Sequence, residues 1–467
     1  MNKYISSLLI GAMAILATSS CEDSLDITPK GKTILDTVDD LELLLNQEFS
    51  FNTNPAVDLG LVTNEIVAMY ETVPSTMSNR NSLSYAYLAY DETVNRAELA
   101  TTDDRYATLY SMINYMNVII EKLDDARGDE TQKVRVEAEA HMLRAYFHYL
   151  LVNIYAGQYD PATASSLGGI AYVDNTNSGE IKQKLTVAQV YDRILQDCDE
   201  SYISSLYDKH ANSSRIDKAF GYAVRAKVFF QMKNYDEAAR QALKAIEING
   251  RVEDRSTCKD FGSWMLSSDA PNQYFHALAG MRLCPAMITI SREMSTMFEP
   301  GDYVKDFTSG WSEIMGQMRG GLTETVCYTD FGAQQNVYGL RAEQMYYIAG
   351  ESYIRLGEIR KGLDYIDRVR VKRIDSFTSY TSMYDQAAMS EAEAMALLQK
   401  AKRIEFIGSY DTFFDCKRWN SETAYRHSIT KDLGDYGTFT ISPDSPLWIM
   451  PFPANATRFN PTLTQNY

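Results

Sequence analysis

One long helical pattern constrains the fold of this chain more than any other feature. Residues 136–157, VEAEAHMLRAYFHYLLVNIYAG, repeat apolar side chains at the spacing of one helix face. The residues that form this face are Leu143, Tyr146, Phe147, Leu150, Leu151 and Ile154. The pattern predicts a buried helix that ends at Gly157.

Two further stretches carry the local signals of helix ends. In residues 185–201, Thr186 and Gln189 have the spacing of a capping box, in which each side chain binds the backbone N–H of the other residue. Residues 390–408 open with Ser and Glu at the same spacing and would end at Gly408. Both stretches are therefore predicted to be helices.

The chain also contains two copies of a helix-pair pattern, in residues 221–249 and 343–370. Each copy places small residues where two helices approach and larger residues where the gap is filled, as in a tetratricopeptide repeat. The helices of the first copy should join at Lys233-Asn234. Because other residues separate the copies, we expect two helix pairs of one core with an insertion between them. The packing positions are Ala226, Phe229, Tyr235, Ala238 and Ala245 in the first copy and Gly350, Tyr353, Gly357, Ile359, Gly362 and Val369 in the second.

Two long zones lack a regular period. Residues 52–106 are rich in Asn, Ser, Thr and Tyr, and residues 250–340 contain scattered Gly, Pro and aromatic residues. A long irregular segment inside a compact domain is usually functional. A disordered insertion is the alternative, but disordered chains are poor in aromatic residues, and the second zone includes Trp264 and Trp311. We therefore expect ordered, irregular structure that carries function.

The first twenty residues have the pattern of a lipoprotein signal peptide. Lys3 precedes a short apolar run, residues 4–17, which is too short to remain in a bilayer as a spanning helix. Small residues then lead to Cys21, the expected acceptor of a lipid after cleavage. An ordinary secretory cleavage site followed by a chance cysteine is the alternative. Removal of Lys3 makes the formal net charge of −17 one unit more negative, which disfavours nucleic acid and anionic membrane surfaces as partners.

The sequence offers little support for catalysis. It contains no G-x-S-x-G motif and no C-x-x-C pair, so neither a serine-hydrolase elbow nor a zinc or thioredoxin-like site is predicted. His141 and His148 share a helix without the H-E-x-x-H spacing, and we expect packed histidines there rather than a metal site. No catalytic residue, metal or cofactor is assigned. The cysteines other than Cys21 are odd in number and widely spaced, their pairing is left open, and most should be buried thiols: Cys198, Cys258, Cys284, Cys327 and Cys416.

Residues 401–420, AKRIEFIGSYDTFFDCKRWN, combine charges with aromatic rings and admit three interpretations: a catalytic site, a nucleic-acid contact or a piece of scaffold. Lys417-Arg418-Trp419 is a basic–aromatic pattern of the kind that contacts nucleic acid. The strongly acidic net charge weakens that interpretation. A helix end with packed aromatic residues fits the segment better.

Several segments, in order along the chain, resemble the SusD/RagB family of outer-membrane nutrient-binding lipoproteins. The start, CEDSLDITPKG, is similar to the lipidated N-terminus of the family, and KRIEFIGSYDTFFDCKRWN is similar to its pattern RR-EF-EG-R-FDLKRW. The helix of residues 136–157, the helix after it, the two helix pairs and the ending PFPANATRFNPTLTQNY also resemble the family. One departure is Ser409-Tyr410-Asp411, which stands where the family usually has Glu-Gly-His/Arg.

The resemblance implies an all-α fold in which tetratricopeptide-repeat-like helix pairs form a scaffold. A large, irregular, loop-rich lobe would face the ligand. The implied boundaries are a signal peptide at 1–20, one SusD-like domain at 21–467, scaffold mainly at 107–250 and 341–420, and lobe mainly at 52–106 and 250–340.

By the same resemblance, residues 401–420 belong to the scaffold. Phe413, Phe414 and Trp419 would pack in the core, while Lys417-Arg418 would cap a helix or pair with acidic residues. The departure at Ser409-Tyr410-Asp411 touches a structural motif, so it puts no functional residue in doubt.

The resemblance also implies binding without catalysis. Family members form the lid of a SusC-type TonB-dependent β-barrel transporter and capture oligosaccharides, or in some members peptides, at the cell surface. This chain is then expected to be a Gram-negative outer-membrane lipoprotein, with a palmitate-bearing anchor on Cys21 and the acidic surface-export signal Glu22-Asp23. Its partners would be such a transporter and a glycan, with no nucleic acid and no cofactor.

Three alternative functions stay open on the sequence. A peptide-binding protein of RagB type would favour a groove with hydrogen-bonding edges over an aromatic platform. A surface glycoside hydrolase would need two carboxyl groups about 5–9.5 Å apart in a cleft. A pure assembly adaptor would bind the transporter and no small ligand.

Ligand residues of this family lie in the variable lobe without a shared motif, so only their chemistry can select them. Sugar rings have apolar faces that stack on Trp and Tyr, and sugar hydroxyls pair with Asn, Asp, Arg and Gln. Trp311 is the leading candidate, because Gly310 precedes it and few apolar residues lie at helical spacing from it. For every candidate, packing in the core is the alternative role. The predicted ligand residues are Trp311, Trp264, Tyr274, Tyr303, Arg319, Tyr70 and Arg80, with Tyr85, Tyr87 and Asn272 as further candidates.

Overall fold

The computed structural model describes most of the predicted scaffold and parts of the irregular zones. The described residues are 35–46, 50–51, 57–68, 73–210, 215–257, 271–276, 278–279, 288–303, 339–375, 377, 389–407 and 409–467. Within these ranges the chain is mostly helical, which confirms the all-α prediction. None of the described helices combines the length and the hydrophobicity that a membrane span requires.

The described helices and strands follow one another along the whole chain. The helices are α1 (Val38–Leu45), α2 (Val57–Val62), α3 (Val73–Ser78), α4 (Leu83–Leu88), α5 (Arg96–Leu99), α6 (Asp104–Lys122), α7 (Glu130–Tyr155), α8 (Val187–Asp197), α9 (Glu200–Ser205), α10 (Lys218–Gln231), α11 (Tyr235–Ile248), α12 (Arg292–Met297), α13 (Ala342–Arg355), α14 (Ile359–Arg370), α15 (Glu391–Glu405), α16 (Tyr410–Asn420) and α17 (Ala454–Thr457). The strands are β1 (Ser50–Phe51), β2 (Ile66–Ala68), β3 (Gly168–Ala171), β4 (Lys184–Thr186), β5 (Gln273–Phe275), β6 (Leu278–Ala279), β7 (Ile288–Ile290), β8 (Leu340–Arg341), β9 (Ile429–Asp432) and β10 (Thr438–Ile441).

The described strands pair only two at a time. β3 pairs with β4 and β9 with β10, both antiparallel, and β5 pairs antiparallel with β8, where Gln273 lies opposite Arg341. None of these pairs grows into a larger sheet within the described ranges. The core is therefore built by helices. β3–β4 and β9–β10 are local pairs, whereas β5 and β8 join segments that are far apart in sequence.

The long helix predicted from periodicity is α7, the central helix of the core. It packs against α1, α6, α8, α9 and α10. Almost every residue from Val136 to Tyr155 is buried, because helices surround it on several sides rather than along one face. The helix ends at Tyr155 with Ala156 as its cap, two residues before the predicted end at Gly157.

The two predicted helix pairs are present and touch each other. α10 and α11 join at Lys233, whose φ is +62°, and the side chain of Asn234 caps α11 by accepting the N–H of Glu237. Gly357, with φ +85°, joins α13 to α14. α11 also packs against α13. The pairs thus form one four-helix stack, and residues 249–341 leave this stack and return to it, as the sequence analysis expected.

Two glycines permit the close approach of α13 and α14. A Cβ atom on Gly362 would lie 2.4 Å from the carbonyl oxygen of Gly350, and one on Gly350 would lie 2.8 Å from Cγ1 of Ile366. Any larger side chain at these positions would push the helices apart. In the first pair, Ala238 is fully buried on α11 and has the same role of a small packing residue.

Both predicted capping boxes are formed. Thr186 and Gln189 bind each other's backbone at the start of α8, and Ser390 and Glu393 do so at the start of α15. α15 ends at Glu405 with Phe406 as its cap, whereas Gly408 lies outside the described residues.

Residues 52–106, in which we found no helical period, contain the short helices α2, α3, α4 and α5. These helices have only four to six residues each. A helix of fewer than two turns gives too few residues for a 3.6-residue period to be recognised. The zone is therefore more regular than its sequence indicates.

The two cysteines that the structure describes behave as predicted. Cys198 and Cys416 are buried free thiols. Burial raises the pKa of each thiol to about 12, so both stay protonated at neutral pH. Cys258, Cys284 and Cys327 lie outside the described residues.

Candidate functional site

The two irregular zones meet through their backbones. β1 runs parallel to β6 and pairs Ser50 with Leu278, while β2 runs antiparallel to β7 and pairs Ile66 with Ile290. In each pair one strand comes from the first zone or its edge and the other from the second zone. We call the described parts of residues 50–106 and 250–303 the lobe.

The end of α14 holds the lobe at a second place. The N–H of Tyr303 donates to the carbonyl oxygen of Arg373 at 3.0 Å, and the N–H of Asp375 donates to the carbonyl oxygen of Gly301 at 2.7 Å. Gly301 has φ +80°, and a Cβ atom there would lie 3.1 Å from the carbonyl oxygen of Asp375. Glycine is thus needed for this tight contact between lobe and scaffold.

Beneath this contact, a carboxylate from the 401–420 segment is enclosed by cations. Glu405 lies 2.7 Å from Nε of Arg373, and Arg341 and Arg255 approach it to 3.1 and 3.3 Å. Burial alone would raise the pKa of Glu405, but the three guanidinium groups hold that pKa below its ordinary value. A carboxylate paired in this way has a structural role and is not available to take a proton from a ligand.

Arg418 and Trp419 form a second buried polar cluster. The guanidinium of Arg418 donates to both carboxylate oxygens of Glu351, at 2.6 and 2.9 Å, and to Asp415 at 3.0 Å. Nε1 of Trp419 donates to Glu351 at 3.0 Å. Both Arg418 and Trp419 are fully buried, with 0% exposure. The KRW segment is therefore scaffold, as predicted, and it offers no surface to nucleic acid.

Lys417 caps a helix of the core. Its Nζ donates to the carbonyl oxygens of Asn153 at 2.7 Å and Ala156 at 2.6 Å, at the C-terminal end of α7. The ammonium complements the partial negative charge of that helix end. Because both of these partners are neutral, burial lowers the pKa of Lys417 to about 7.

The predicted ligand residues differ in their exposure to solvent. Arg80 is exposed, and Tyr303 is half-buried with its hydroxyl donating to Asp375 at 3.3 Å. Tyr274 is only 2% exposed and donates to the carbonyl oxygen of Asn249 at 2.6 Å, so its ring packs in the core and does not face solvent. Three further candidates are also buried: Tyr85, Tyr87 and Asn272. Five predicted residues lie outside the described residues: Cys21, Tyr70, Trp264, Trp311 and Arg319.

Of the two histidines of α7, His148 is buried in the core and His141 is half-buried. Nδ1 of His148 lies 3.0 Å from the carbonyl oxygen of Arg144, and Nε2 accepts the N–H of Val173 at 3.1 Å. Burial lowers the pKa of His148 to about 3, so the ring is neutral. Nδ1 of His141 lies 2.9 Å from Asp197. Within the described ranges, no three His, Cys, Asp or Glu side chains converge in a way that could hold a metal ion.

Two family models match the chain in succession. A SusD-like model, described as starch-binding and associating with the outer membrane, matches residues 25–230. A second model, described as the SusD family, matches residues 293–467. The chain belongs to the SusD/RagB family. The matches confirm the resemblance that the separate segments indicated.

Solved SusD-like structures share this fold over nearly the whole chain. A SusD superfamily protein from Bacteroides thetaiotaomicron aligns with a TM-score of 0.68 at 16% identity, over 92% of this chain and 100% of that chain. A SusD-like carbohydrate-binding protein from Bacteroides vulgatus aligns at 0.65 and 13% identity, over 92% and 98%. Surface glycan-binding protein A from Bacteroides fluxus aligns at 0.64 and 16% identity, over 92% and 97%. No curated protein sequence matches. At these identities the likeness establishes the fold alone.

Residues that join the two zones of the lobe in this SusD/RagB protein were not predicted from the sequence. Nδ2 of Asn64 donates to Oε2 of Glu293 at 2.7 Å, although 229 positions separate the two residues. No local spacing can reveal such a pair. The one available signal was an Asn directly after a short apolar stretch, because Asn tolerates positive φ better than other non-glycine residues.

Proposed function

We propose that this SusD/RagB protein is a cell-surface lipoprotein that captures oligosaccharides and delivers them to a SusC-like TonB-dependent outer-membrane transporter. One observation carries the proposal. Two models of the same family match the chain in order, and the first of them is described as starch-binding and associating with the outer membrane. The proposed chemistry is non-covalent binding without catalysis.

The division between scaffold and lobe supports a binding role. The charged groups at the centre of the scaffold are buried in ion pairs, such as Glu405 with Arg373 and Arg418 with Glu351. Such pairs make the frame rigid and leave recognition to irregular surface segments, which is how binding sites are commonly built. The candidate ligand residues that face solvent belong to the lobe.

We propose an aromatic platform in the lobe as the ligand site. Trp311 and Trp264 would stack on sugar rings together with Tyr303 and Tyr70, because a flat aromatic face fits the apolar face of a sugar. The guanidinium groups of Arg80 and Arg319 would bind sugar hydroxyls, since each guanidinium carries several hydrogen-bond donors in one plane. Tyr274 is buried, so we assign it to packing in the core.

Cys21 would carry the lipid anchor, and Glu22-Asp23 would direct the protein to the outer face of the membrane. A lipid chain at the N-terminus would keep the binding lobe close to the transporter. Tethering of this kind raises the effective concentration of the two partners without any new contact between them.

Glycan-array screening of the mature protein, followed by calorimetric titration, tests the binding function. Maltoheptaose is the first probe, because the matching family model is described as starch-binding. We expect saturable binding of at least one class of oligosaccharide without release of new reducing ends. Binding of peptides alone would assign the peptide-uptake function instead, and hydrolysis would make the protein an enzyme. Co-purification with the transporter without any ligand binding would make it an adaptor.

A further inference from the structure

Five successive backbone carbonyl groups at the base of the lobe each accept a hydrogen bond from a distant part of the chain. Four residues from four other segments supply the donors. We call this arrangement the 61–65 clamp. Nζ of Lys431 donates to the carbonyl oxygen of Leu61 at 2.7 Å, and the hydroxyl of Tyr90 donates to that of Val62 at 3.0 Å. Nη2 of Arg403 donates to the carbonyl oxygen of Thr63 at 2.9 Å. Ser291 donates twice: its hydroxyl binds the carbonyl oxygen of Asn64 at 2.6 Å, and its N–H binds that of Glu65 at 2.9 Å.

The clamp lies within the lobe, between α2 and β2. Its first residues end α2, and its last residue directly precedes β2. Ser291 directly follows β7, the strand that pairs with β2. The clamp therefore fixes the two strands that join the irregular zones, and it fixes them at the same end.

Side chains complete the clamp. Besides its bond to Glu293, Nδ2 of Asn64 donates to the carbonyl oxygen of Thr430 at 3.0 Å. Oε1 of Glu293 lies 3.7 Å from Nη1 of Arg403. One carboxylate from the second zone thus connects a residue of the first zone with α15 of the scaffold.

The clamp is an energetically unfavourable local arrangement that the surrounding structure imposes. Asn64 and Tyr90 have φ values of +55° and +50°, and they are two of the three non-glycine residues with positive φ in the described part of the chain. Oδ1 of Asn64 and Nε of Arg403 are buried without a hydrogen-bond partner. Backbone strain and unsatisfied polar groups cluster at ligand clamps and similar functional places, where geometry matters more than local stability.

We propose that Asn64, Glu293 and Arg403 are positioning residues for the ligand: by holding β2 against β7, they keep the ligand contacts of both zones on one surface. The inference rests on the proposed binding function and names what fixes the geometry of that site. None of the three residues is required to touch the ligand. The helix stack of α10, α11, α13 and α14 contains no residue of the clamp, so weakening the clamp should affect the lobe more than the scaffold.

Glu293 allows a sharp test, because two substitutions separate its effects. Glu293→Ala removes the acceptor for Asn64 and the charge that faces Arg403, whereas Glu293→Gln keeps a side-chain oxygen that can accept from Asn64. Glu121→Ala is a matched control. Glu121 accepts from the N–H of Thr176 at 2.8 Å and from its hydroxyl at 2.5 Å, and it lies on the scaffold.

Two quantities are measured for each full-length variant. The first is the affinity for the oligosaccharide that the wild type binds best on the array, and the second is the hydrogen-exchange rate of the amides in residues 66–68 and 288–290. We expect Glu293→Ala to weaken binding and to accelerate exchange by at least about tenfold each (about 1.4 kcal/mol). Glu293→Gln should stay within about threefold of the wild type, and Glu121→Ala should change neither quantity.

Asn64→Gly provides a second route to the same result. Glycine adopts the positive φ without strain but lacks the side-chain bonds to Glu293 and Thr430. This variant should behave like Glu293→Ala, and it serves as the test if Glu293→Ala does not fold.

Four outcomes would overturn the inference. Faster exchange with unchanged affinity would show that the clamp does not position the ligand, although the binding function would stand. Lost affinity with unchanged exchange would make Glu293 a direct ligand contact. Equal losses in Glu293→Ala and Glu121→Ala would show general destabilisation. A wild-type protein that binds no oligosaccharide on the array would overturn the proposed function, and the positioning role with it.

Discussion

Buried cations that bind backbone carbonyl groups are the most informative feature at the scale of single residues. Lys417 lies at the C-terminal end of α7, and Lys431 donates to the carbonyl oxygens of Leu61 in α2 and Tyr87 in α4. Helix ends carry partial negative charge, which attracts an ammonium group even where no carboxylate is bound. The sequence predicted that Lys417 would cap or pair, but it could not tell which carbonyl groups would accept, because those belong to distant segments.

Lys417 should make stability depend on pH in the opposite sense to a lysine whose pKa is raised by a salt bridge. Burial lowers its pKa to about 7, whereas the unfolded chain has the ordinary value of 10.5. Between these values the unfolded chain holds more protons than the folded protein, so the free energy of unfolding rises with pH. From pH 7 to pH 9 we expect a gain of roughly 2 kcal/mol from this residue.

Urea unfolding of the wild type and of Lys417→Met, measured at several pH values in this window, checks the expectation. The variant also loses two hydrogen bonds, but that loss is the same at every pH and does not alter the slope. Lys431 titrates in both proteins and cancels in the difference. Two curves that stay parallel would contradict a lowered pKa for Lys417.

Trp311→Ala is predicted to weaken oligosaccharide binding at least about tenfold while stability changes little. The reason is its sequence context, since a tryptophan that follows a glycine in an irregular segment is hard to bury fully. Calorimetric binding and thermal melting are measured on the same sample. Phe459→Ala is the control for loss of an exposed ring, because Phe459 is 75% exposed and lies near the C-terminus, outside the lobe. A loss of several kcal/mol in stability would instead identify Trp311 as a packing residue.

At the scale of secondary-structure elements, the sequence predicts what is local and misses what is long-range. The capping boxes at Thr186 and Ser390, the apolar face of α7 and the small residues of the helix pairs are all set by neighbours within a few positions. The pairing of β2 with β7 and the contact of α11 with α13 depend on residues far apart in sequence. Nothing in the spacing of residues could place them together.

Ala238→Leu should destabilise the first helix pair by about 1–3 kcal/mol, because the added atoms have no space between α10 and α11. Ala238 has 0% exposure. Glu247→Leu places the same side chain at an exposed position of the same helix and should change stability by no more than about 0.5 kcal/mol. Thermal melting of both variants decides the matter. Equal melting temperatures would mean that the packing at Ala238 is looser than the structure shows.

At the scale of the whole molecule, the chain joins a rigid helical frame to an irregular lobe. The frame shares its helices and their order with solved structures at 13–16% identity, which shows the fold, while the two family models show the family. We propose that recognition of a particular ligand comes from the zones whose sequence follows no period. The acidic net charge of −17 belongs to the molecule as a whole and keeps its surface from attracting nucleic acid.

Cys21→Ala should release the whole protein from the membrane. A thiol is required to accept the lipid, and the variant should appear as an unanchored protein that incorporates no labelled palmitate. Ser24→Ala lies three residues further along and should remain anchored. Fractionation of cells that were grown with labelled palmitate gives the answer. Label that persists in Cys21→Ala would show that a residue other than Cys21 carries the lipid.

The helix stack holds the two ends of residues 249–341 side by side, since α11 packs on α13 and Gln273 pairs with Arg341. The entropy lost on closing a flexible loop grows only with the logarithm of its length, so that doubling the loop costs about 0.6 kcal/mol. Lengthening of the stretch between its described contacts, such as those of Arg255, Tyr274 and Gly301, should therefore cost the frame little free energy. The same frame can thus carry segments of different length between those contacts at a small cost in stability.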